Sequence, residues 1–167
     1  MLDNTTTDGS RRAVRPPLPT FLMFARIFIA FALACAAQVA HADCFDDAAV
    51  FHRVNPIILR SIAIVESGNK PSATNHNSNG SIDYGEMQIN SIHLPELAQY
   101  GMSTRDLYDG CKSIHTGAWI YRKKIDKFGN TWAAVGAYHS ENPYYRDQYA
   151  AEVHAVAMRL VREYGGQ

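Results

Sequence analysis

The stretch IAIVESGNKP, residues 62–71, decides how the rest of this chain is interpreted. Its four apolar residues lead directly into Glu66, and Gly68 is placed to end the helix two residues later. Ile58, Ile62 and Glu66 are spaced by four, so they share one helix face. Because that face is otherwise apolar, we expect the Glu66 carboxyl at the edge of the core, with a raised pKa. The alternative is a solvated side chain at a frayed helix end.

The environment expected for Glu66 favours a chemical role. A raised pKa keeps a carboxyl group protonated near neutral pH, which is the state that a general acid requires. A glutamate at a helix C-terminus also interacts unfavourably with the helix dipole. Its presence there therefore favours a functional reason for the residue over a purely structural one. Residues 67–90 follow directly and are rich in turn residues, which predicts a small β-hairpin or an extended loop. Long loops in compact domains are usually functional or mobile.

The N-terminal region has the three parts of a secretory signal peptide. Arginines precede an apolar run at 27–37, and VAHA follows at 39–42 with small residues at the cleavage positions. The run is well short of the ~20 residues that a spanning helix needs. We therefore expect a signal peptide over 1–42, cleaved near Ala42, and an exported domain over 43–167.

Two alternatives for this region stay open. The first is an N-terminal anchor that is not cleaved, which the shortness of the apolar run disfavours. The second is a lipid attached at Cys35, although the residue three positions earlier is Ala rather than the usual Leu.

Cysteine usage and net charge agree with export. Removal of the signal would leave Cys44 and Cys111, and an even pair in an oxidising compartment predicts a disulfide. A loop of this length contributes about 4 kcal/mol by chain-entropy estimates. The formal net charge is zero, which argues against a nucleic-acid partner held by phosphate contacts. No metal-binding motif or nucleotide signature is found, so we expect neither a metal nor a cofactor.

The rest of the sequence predicts a mostly helical domain. A first helix is expected over 44–54, and Asn55-Pro56 is typical of the start of a second. Apolar and bulky residues at helical spacing predict further helices over 111–128, 131–139 and 143–164.

Three motifs carry a resemblance to a known family. IAIVESGNKP is followed by YGEMQIN at 84–90 and by AVGAYH at 134–139. In this order the motifs resemble the lytic transglycosylases of the goose-lysozyme-like fold, and in particular small secreted members that accompany secretion, type IV pilus and conjugation machines. The resemblance covers 44–149. It implies a mainly α, lysozyme-like (α+β) domain with a small β-hairpin or extended loop after the catalytic helix.

The resemblance also implies a reaction. Glu66 matches the family's single catalytic acid, which protonates the glycosidic oxygen between N-acetylmuramic acid and N-acetylglucosamine in peptidoglycan. It then serves as base for the muramic 6-hydroxyl, which closes on C1 to give a 1,6-anhydro end without water. Such a mechanism needs no second carboxylate, unlike the usual glycosidase pair.

Further residues match positions of the family that shape the site or bind substrate. Tyr138 matches the tyrosine that hydrogen-bonds the catalytic acid, and Ser67 matches the residue that follows the acid. Asn75 stands where some members have Ser. The remaining matches form the glycan-contacting motif, which is Met87, Gln88, Ile89 and Asn90.

This sequence departs from the family at two places near the site. Glu86 replaces the usual Leu, and it would repel an ionised Glu66, point outwards or supply a second acid/base group. His139-Ser140-Glu141 replaces Asn-Ala-Gly, which changes the expected wall of the substrate groove. These departures motivate one alternative, a catalytically inactive glycan-binding assembly factor. A hydrolytic muramidase, which uses water, is a second alternative that stays open.

The implied partners are peptidoglycan glycan strands and components of a secretion, conjugation or pilus machine. Contact with a membrane is expected only through the signal segment. The expected location is periplasmic or secreted.

Overall fold

Six α-helices and one small antiparallel sheet make up residues 43–164, the part of the chain that the computed structural model describes. In chain order the elements are α1 (Cys44–His52), α2 (Pro56–Ser67), β1 (Thr74–His76), β2 (Ile82–Tyr84), β3 (Ile89–Asn90), α3 (Leu94–Ala98), α4 (Gly110–Phe128), α5 (Trp132–His139) and α6 (Pro143–Tyr164). Short 3₁₀ turns precede α3 and α4, at Ser91–His93 and Thr104–Tyr108.

The helix α2 has well-defined ends, and these fix where Glu66 lies. The Asn55 side chain accepts hydrogen bonds from the backbone N–H groups of Ile57 and Ile58, as an N-cap does. Ile62 is fully buried, which places the predicted apolar face of the helix in the core. Gly68 then takes a left-handed conformation with φ of 65° and ends the helix two residues after Glu66.

The helix α1 is tied to α4 by a disulfide. Cys44 and Cys111 form the expected pair, with Cα atoms 5.3 Å apart and a separation of 67 positions in sequence. Arg60 on α2 forms ion pairs with Asp43 and Asp46 at the start of α1. Covalent and ionic contacts therefore join the first helix to two other helices.

The predicted hairpin is present and is extended by a third strand. The strands pair in the order β1-β2-β3, and both pairings are antiparallel. Thr74 lies opposite Tyr84, and Asp83 lies opposite Asn90 in the second pairing. The sheet therefore brings polar side chains from distant parts of the loop together.

The turn after β2 is seated against the helical part of the domain. Gly85 has φ of 74°, and a Cβ at this position would lie 1.8 Å from the carbonyl oxygen of Leu107. Only glycine fits such a close approach with positive φ. The backbone N–H of Met87 donates to the Ser113 hydroxyl of α4 at 3.1 Å. These contacts hold the YGEMQIN motif against the core.

The last two helices pack against each other and cover α2. A Cβ at Gly136 of α5 would lie 2.1 Å from the carbonyl oxygen of Arg146. The lack of a side chain at Gly136 therefore allows α6 to pack closely against α5. The helix α6 also packs against α2, where it buries Tyr149 and Val153. This packing places one face of α6 beside Glu66.

The predicted helices are confirmed, with small differences at their ends. The first helix stops at His52 rather than at residue 54, because Arg53 takes a left-handed conformation with φ of 55° and caps it. The helix expected over 111–128 begins one residue earlier, where Asp109 accepts a hydrogen bond from the backbone N–H of Lys112.

The predicted signal segment lies outside the described residues. The structure therefore says nothing of residues 1–42 or of the alternatives for Cys35. Between Asp43 and Tyr164, no helix combines the length and the apolar character that crossing a bilayer requires.

Removing the disulfide should destabilise the domain without changing its fold. In a protein beginning at Asp43, replacing Cys44 and Cys111 by Ser should lower the free energy of unfolding by about 4 kcal/mol, because the denatured chain regains the freedom of a long loop. Urea unfolding followed by circular dichroism measures the loss. A reductant should weaken the unmutated protein and leave the double variant unchanged, and equal sensitivity of both would contradict this account.

Candidate active site

A polar groove of about 670 Å³ runs between the small sheet and the C-terminal helices. Its floor and walls combine amide, hydroxyl and carboxyl groups with a few aromatic and apolar side chains. The lining residues are Glu66, Asn77, Ser78, Asn79, Ser81, Asp83, Gln88, Ile89, Asn90, Ile92, His93, Ile120, Lys124, Ala137, Tyr138, His139, Ser140, Glu141 and Tyr145.

Glu66 enters the groove from the last turn of α2. Burial raises the pKa of its carboxyl group from 4.5 to about 7, and the nearby charges of Asp83 and Glu152 act in the same direction. A hydrogen bond from Tyr149 partly opposes this rise. The expectation of a partly desolvated carboxyl with a raised pKa is confirmed, and the frayed, solvated alternative is wrong. Such a group is protonated in a substantial fraction of molecules at neutral pH.

The side chain that holds Glu66 comes from α6. The Tyr149 hydroxyl donates to Oε1 of Glu66 at 2.5 Å, and the Tyr149 residue is only 6% exposed. Burial raises the pKa of Tyr149 well above its usual value, so its hydroxyl remains a donor. The His139 ring stacks on the Tyr149 ring with centroids 5.0 Å apart. Glu66 is therefore oriented by a tyrosine that is itself covered by an aromatic ring.

The expected hydrogen bond from Tyr138 to Glu66 is wrong, although the two side chains are close enough for the charge of Glu66 to act on Tyr138. The Tyr138 hydroxyl donates instead to the backbone carbonyl oxygen of Met87 at 2.8 Å. A buried carbonyl needs a donor, and Tyr138 on α5 supplies it. Tyr149 on the next helix reaches Glu66 instead. Tyr138 still lines the groove, where it fixes the backbone of the YGEMQIN motif.

Asp83 is a second carboxylate in the groove, held by three amides. Its Oδ1 accepts from the Asn90 side chain at 2.6 Å, and its Oδ2 accepts from Asn77 at 2.8 Å and from Asn75 at 3.3 Å. Asn90 and Asp83 face each other across the β2–β3 pairing. The sheet thus fixes an anionic group in the groove that also contains Glu66.

The predicted glycan-contacting residues divide into groove residues and supporting residues. Gln88, Ile89 and Asn90 line the groove, although Ile89 is only 1% exposed. Met87 is fully buried, so its side chain cannot contact a glycan directly and the prediction for it needs correction. Asn75 does not line the groove but donates to Asp83 from behind.

Gln88 has an uncommon backbone conformation. Its φ of 47° lies in the left-handed region, which is costly for a residue with a side chain. Its own side-chain amide donates to the carbonyl oxygen of Gly85 at 2.8 Å and helps to hold the turn. Strained conformations of this kind cluster at functional sites.

Ser67 acts on the loop rather than on the groove. Its hydroxyl donates to the carbonyl oxygen of Glu86 at 2.7 Å and accepts from the backbone N–H of Lys70 at 2.9 Å. The residue after Glu66 therefore ties the end of α2 to the YGEMQIN motif.

Glu86 points away from the groove. The residue is 6% exposed, and its Oε2 lies 3.1 Å from the position of a Cβ on Gly110, at the start of α4. Burial, together with the charge of Asp43, raises the pKa of Glu86. A role for Glu86 as second acid or base beside Glu66 is therefore wrong.

The substituted segment His139-Ser140-Glu141 lines the groove, as expected for its wall. Glu141 forms ion pairs with Lys124 at 2.8 Å and with Lys127 at 2.5 Å. Because both cations come from α4, Glu141 ties the connection between α5 and α6 to that helix at the wall of the groove.

Sequence reasoning missed the roles of Tyr149 and Asp83. The helical spacing places Tyr149 in the apolar stripe of α6, although a buried tyrosine hydroxyl usually requires a partner. Asp83 gives a weaker signal, an acid within a segment rich in Asn that the hairpin folds together. Among residues 43–164, no three His, Cys, Asp or Glu side chains are grouped closely enough to hold a metal ion.

Comparisons with known proteins identify the family. A family model described as transglycosylase SLT domain matches residues 43–149. Protein IpgF of Shigella flexneri is 34% identical over 141 residues, which cover 81% of this chain and 93% of that protein. The peptidoglycan-binding-like protein of Escherichia coli O157:H7 is 34% identical over 149 residues, which cover 82% and 89%. The invasion protein IagB of Salmonella typhimurium (strain SL1344) is 40% identical over 104 residues, which cover 62% and 65%.

The fold and the groove define a lysozyme-like domain. It is mainly helical, with a small antiparallel sheet directly after the helix that carries the buried glutamate. The chain belongs to the transglycosylase SLT domain family.

Replacing Glu66 by Gln should stabilise the domain at high pH. A carboxyl whose pKa is raised by folding binds its proton more tightly in the folded state, so stability falls as pH rises from 4.5 to about 7 and then stays level. At pH 8 the variant should be more stable by about 3 kcal/mol, and at pH 4 the two proteins should be alike. Urea unfolding at both pH values measures this difference. The control variant Glu163→Gln, at an exposed position, should show no such gain in stability. If Glu66→Gln were equally stabilising at pH 4 and pH 8, the raised pKa of Glu66 would be contradicted.

Replacing Tyr149 by Phe should raise the pKa of Glu66. The lost hydrogen bond stabilises the ionised carboxylate, so its removal favours the protonated form. An NMR titration of the Glu66 side-chain carbon measures the pKa directly. Tyr144→Phe, at an exposed ring of α6, is the matched control and should leave the titration unchanged. A lower pKa of Glu66 in the Tyr149→Phe variant would contradict the view that the Tyr149 hydroxyl stabilises the ionised carboxylate.

Proposed function

We propose that this protein is a peptidoglycan lytic transglycosylase. It cleaves the β-1,4 bond between N-acetylmuramic acid and N-acetylglucosamine and leaves 1,6-anhydro-muramic ends. The observation that carries this proposal is Glu66, a partly buried carboxyl with a pKa of about 7 that faces a polar groove. Membership of the transglycosylase SLT domain family supports the same reaction.

In the proposed reaction Glu66 acts twice. Protonated Glu66 first gives its proton to the glycosidic oxygen as the bond from that oxygen to the muramic C1 breaks. The resulting carboxylate then takes the proton of the muramic 6-hydroxyl as O6 forms a bond to C1. The proton count on Glu66 is restored, and no water or cofactor is consumed. A pKa near 7 suits both steps, because the group loses and regains its proton with little cost.

The groove offers the groups that a glycan strand would need. The side-chain amides of Asn79 and Gln88 line the groove and can hydrogen-bond hydroxyl and N-acetyl groups. Tyr145 is 55% exposed at the groove edge and presents a ring face for sugar packing. Tyr149 of α6 orients Glu66 by a hydrogen bond. The Tyr138 hydroxyl of α5 holds the backbone of the YGEMQIN motif.

We extend the proposal to cellular context. Residues 1–42 have the features of a signal peptide, so the domain over 43–167 would act in the periplasm or after secretion. One relative is named an invasion protein, which supports local opening of the cell wall for a secretion, conjugation or pilus apparatus.

The products released from purified peptidoglycan test the proposal. Mass spectrometry should find muropeptides with anhydro-muramic ends after digestion by the protein, with activity falling as pH rises through about 7 because Glu66 loses its proton. The Glu66→Gln variant should lose at least ~100-fold in rate, the usual scale for a general acid.

Other products would identify the alternatives. Reducing muramic ends would show a hydrolytic muramidase and overturn the transglycosylase reaction. No release by a protein that is folded and still pulls down with peptidoglycan would show a binding or assembly factor. A Glu66→Gln variant as active as the unmutated protein would remove Glu66 from the mechanism.

A further inference from the structure

Lysine side chains of α4 give one wall of the groove a positive charge. Lys124 lines the groove, and its ammonium group pairs with Glu141 at 2.8 Å. Lys127, about one turn further along the helix, pairs with the same carboxylate at 2.5 Å. Two cations therefore share one anion, which leaves this cluster with a surplus of positive charge. Lys124 brings that surplus to the surface of the groove.

His93 shows that this charge acts within the groove. The residue lines the groove and follows β3 in a short 3₁₀ turn. Burial lowers the pKa of its imidazole, and the charges of Lys123 and Lys124 lower it further, whereas Glu96 opposes them. Lys123 and Glu96 form an ion pair at 2.9 Å, so their charges largely offset each other. Lys124 is therefore the main source of positive charge at this wall.

The part of the groove around Glu66 carries charge of the other sign. The charges of Asp83 and Glu152 act on Glu66 and help to raise its pKa. An anionic group of a bound molecule would be repelled there and attracted towards Lys124, because like charges repel and opposite charges attract. The groove is thus electrically polarised, and a substrate with an acidic substituent would bind with that substituent at the α4 wall.

We propose that Lys124 binds a carboxylate of the peptide stem that the muramic residue carries. This proposal rests on the proposed function and narrows its substrate to glycan strands whose stems keep free carboxylates, in preference to strands with amidated stems. The hydroxyl and N-acetyl groups of the glycan are uncharged, whereas a peptide carboxylate is ionised at neutral pH. The stem is therefore the part of the substrate that supplies the matching anion.

Glu141 sets the strength of this contact. An ammonium group has three donors, so Lys124 can hold Glu141 and a stem carboxylate at the same time, although the two anions repel each other. Removing the charge of Glu141 should therefore strengthen binding of an acidic stem, and removing the charge of Lys124 should weaken it. If the ion pair served only to shape the wall, both changes would act in the same direction.

Binding of two soluble muropeptide tetrasaccharides tests the proposal. The two ligands have the same glycan and the same stem sequence, with free stem carboxylates in one and amidated carboxyl groups in the other. Each is titrated calorimetrically into the protein carrying Glu66→Gln, so that cleavage does not interfere. The Kd of the acidic ligand should be about fivefold lower than that of the amidated ligand, the scale of one partly exposed ion pair. The preference should shrink as salt is added.

Three further variants, each added to Glu66→Gln, keep the test decisive. Lys124→Gln should reduce the preference to less than about twofold, because the ion pair is lost. Glu141→Gln should increase the preference, because the competing anion is gone. Lys112→Gln is the matched control, since it removes an exposed lysine of the same helix that pairs with Asp106, and it should keep the full preference. Circular dichroism and the unfolding midpoint establish that each variant is folded.

The outcomes separate this proposal from the proposed function. Equal affinity for the two ligands before the wall is changed would overturn the stem site, and so would a preference that falls in both Lys124→Gln and Glu141→Gln. A protein that prefers the acidic ligand but leaves no anhydro ends on peptidoglycan would lose the proposed reaction and keep the stem site. If neither ligand binds, the stem site is overturned together with glycan binding in the groove.

Discussion

The hydrogen bond from Tyr149 to Glu66 allows one carboxyl group to have both a raised pKa and a fixed orientation. Burial of Glu66 beside the core raises its pKa towards neutrality, yet an unpartnered buried carboxyl would have no fixed orientation. The Tyr149 hydroxyl orients the carboxyl and opposes part of the pKa rise. The close approach of α6 to α5 at Gly136 places Tyr149 there, so helix packing and acid chemistry depend on the same contact.

The small sheet provides the other half of the groove by a different physical means. Here polar side chains are held by one another rather than by burial in a core. Asp83 and Asn90 meet because β2 and β3 pair in a fixed register, and Asn77 reaches the same carboxylate from the turn. Tyr138 and Ser67 then attach this polar unit to the helices through backbone carbonyl groups. A helical wall and an amide-rich wall therefore face each other.

Local pattern was enough to predict most of the helices and the environment of Glu66. Apolar spacing, the Asn55-Pro56 start and the glycine after the acid are short-range signals, and short-range physics decides them. The partner of Glu66 could not be predicted in this way, because Tyr149 and Tyr138 are both tyrosines on helices near the acid. Only the packing of α6 on α2 decides which one reaches it. Asp83 was missed for a related reason, since its three amide partners converge only when the sheet forms.

The long sequence separation between Glu66 and Tyr149 has a consequence for the order of assembly. The two residues are 83 positions apart, so a chain made from its N-terminus presents the acid well before the helix that orients it. Until α6 docks, α2 lacks the partner that fixes the carboxyl, and the groove lacks the residues that α6 contributes. A nascent or truncated molecule that lacks α6 therefore carries Glu66 without the hydroxyl that orients its carboxyl group. The environment of Glu66 is therefore complete only after α6 has been synthesised and has packed against α2.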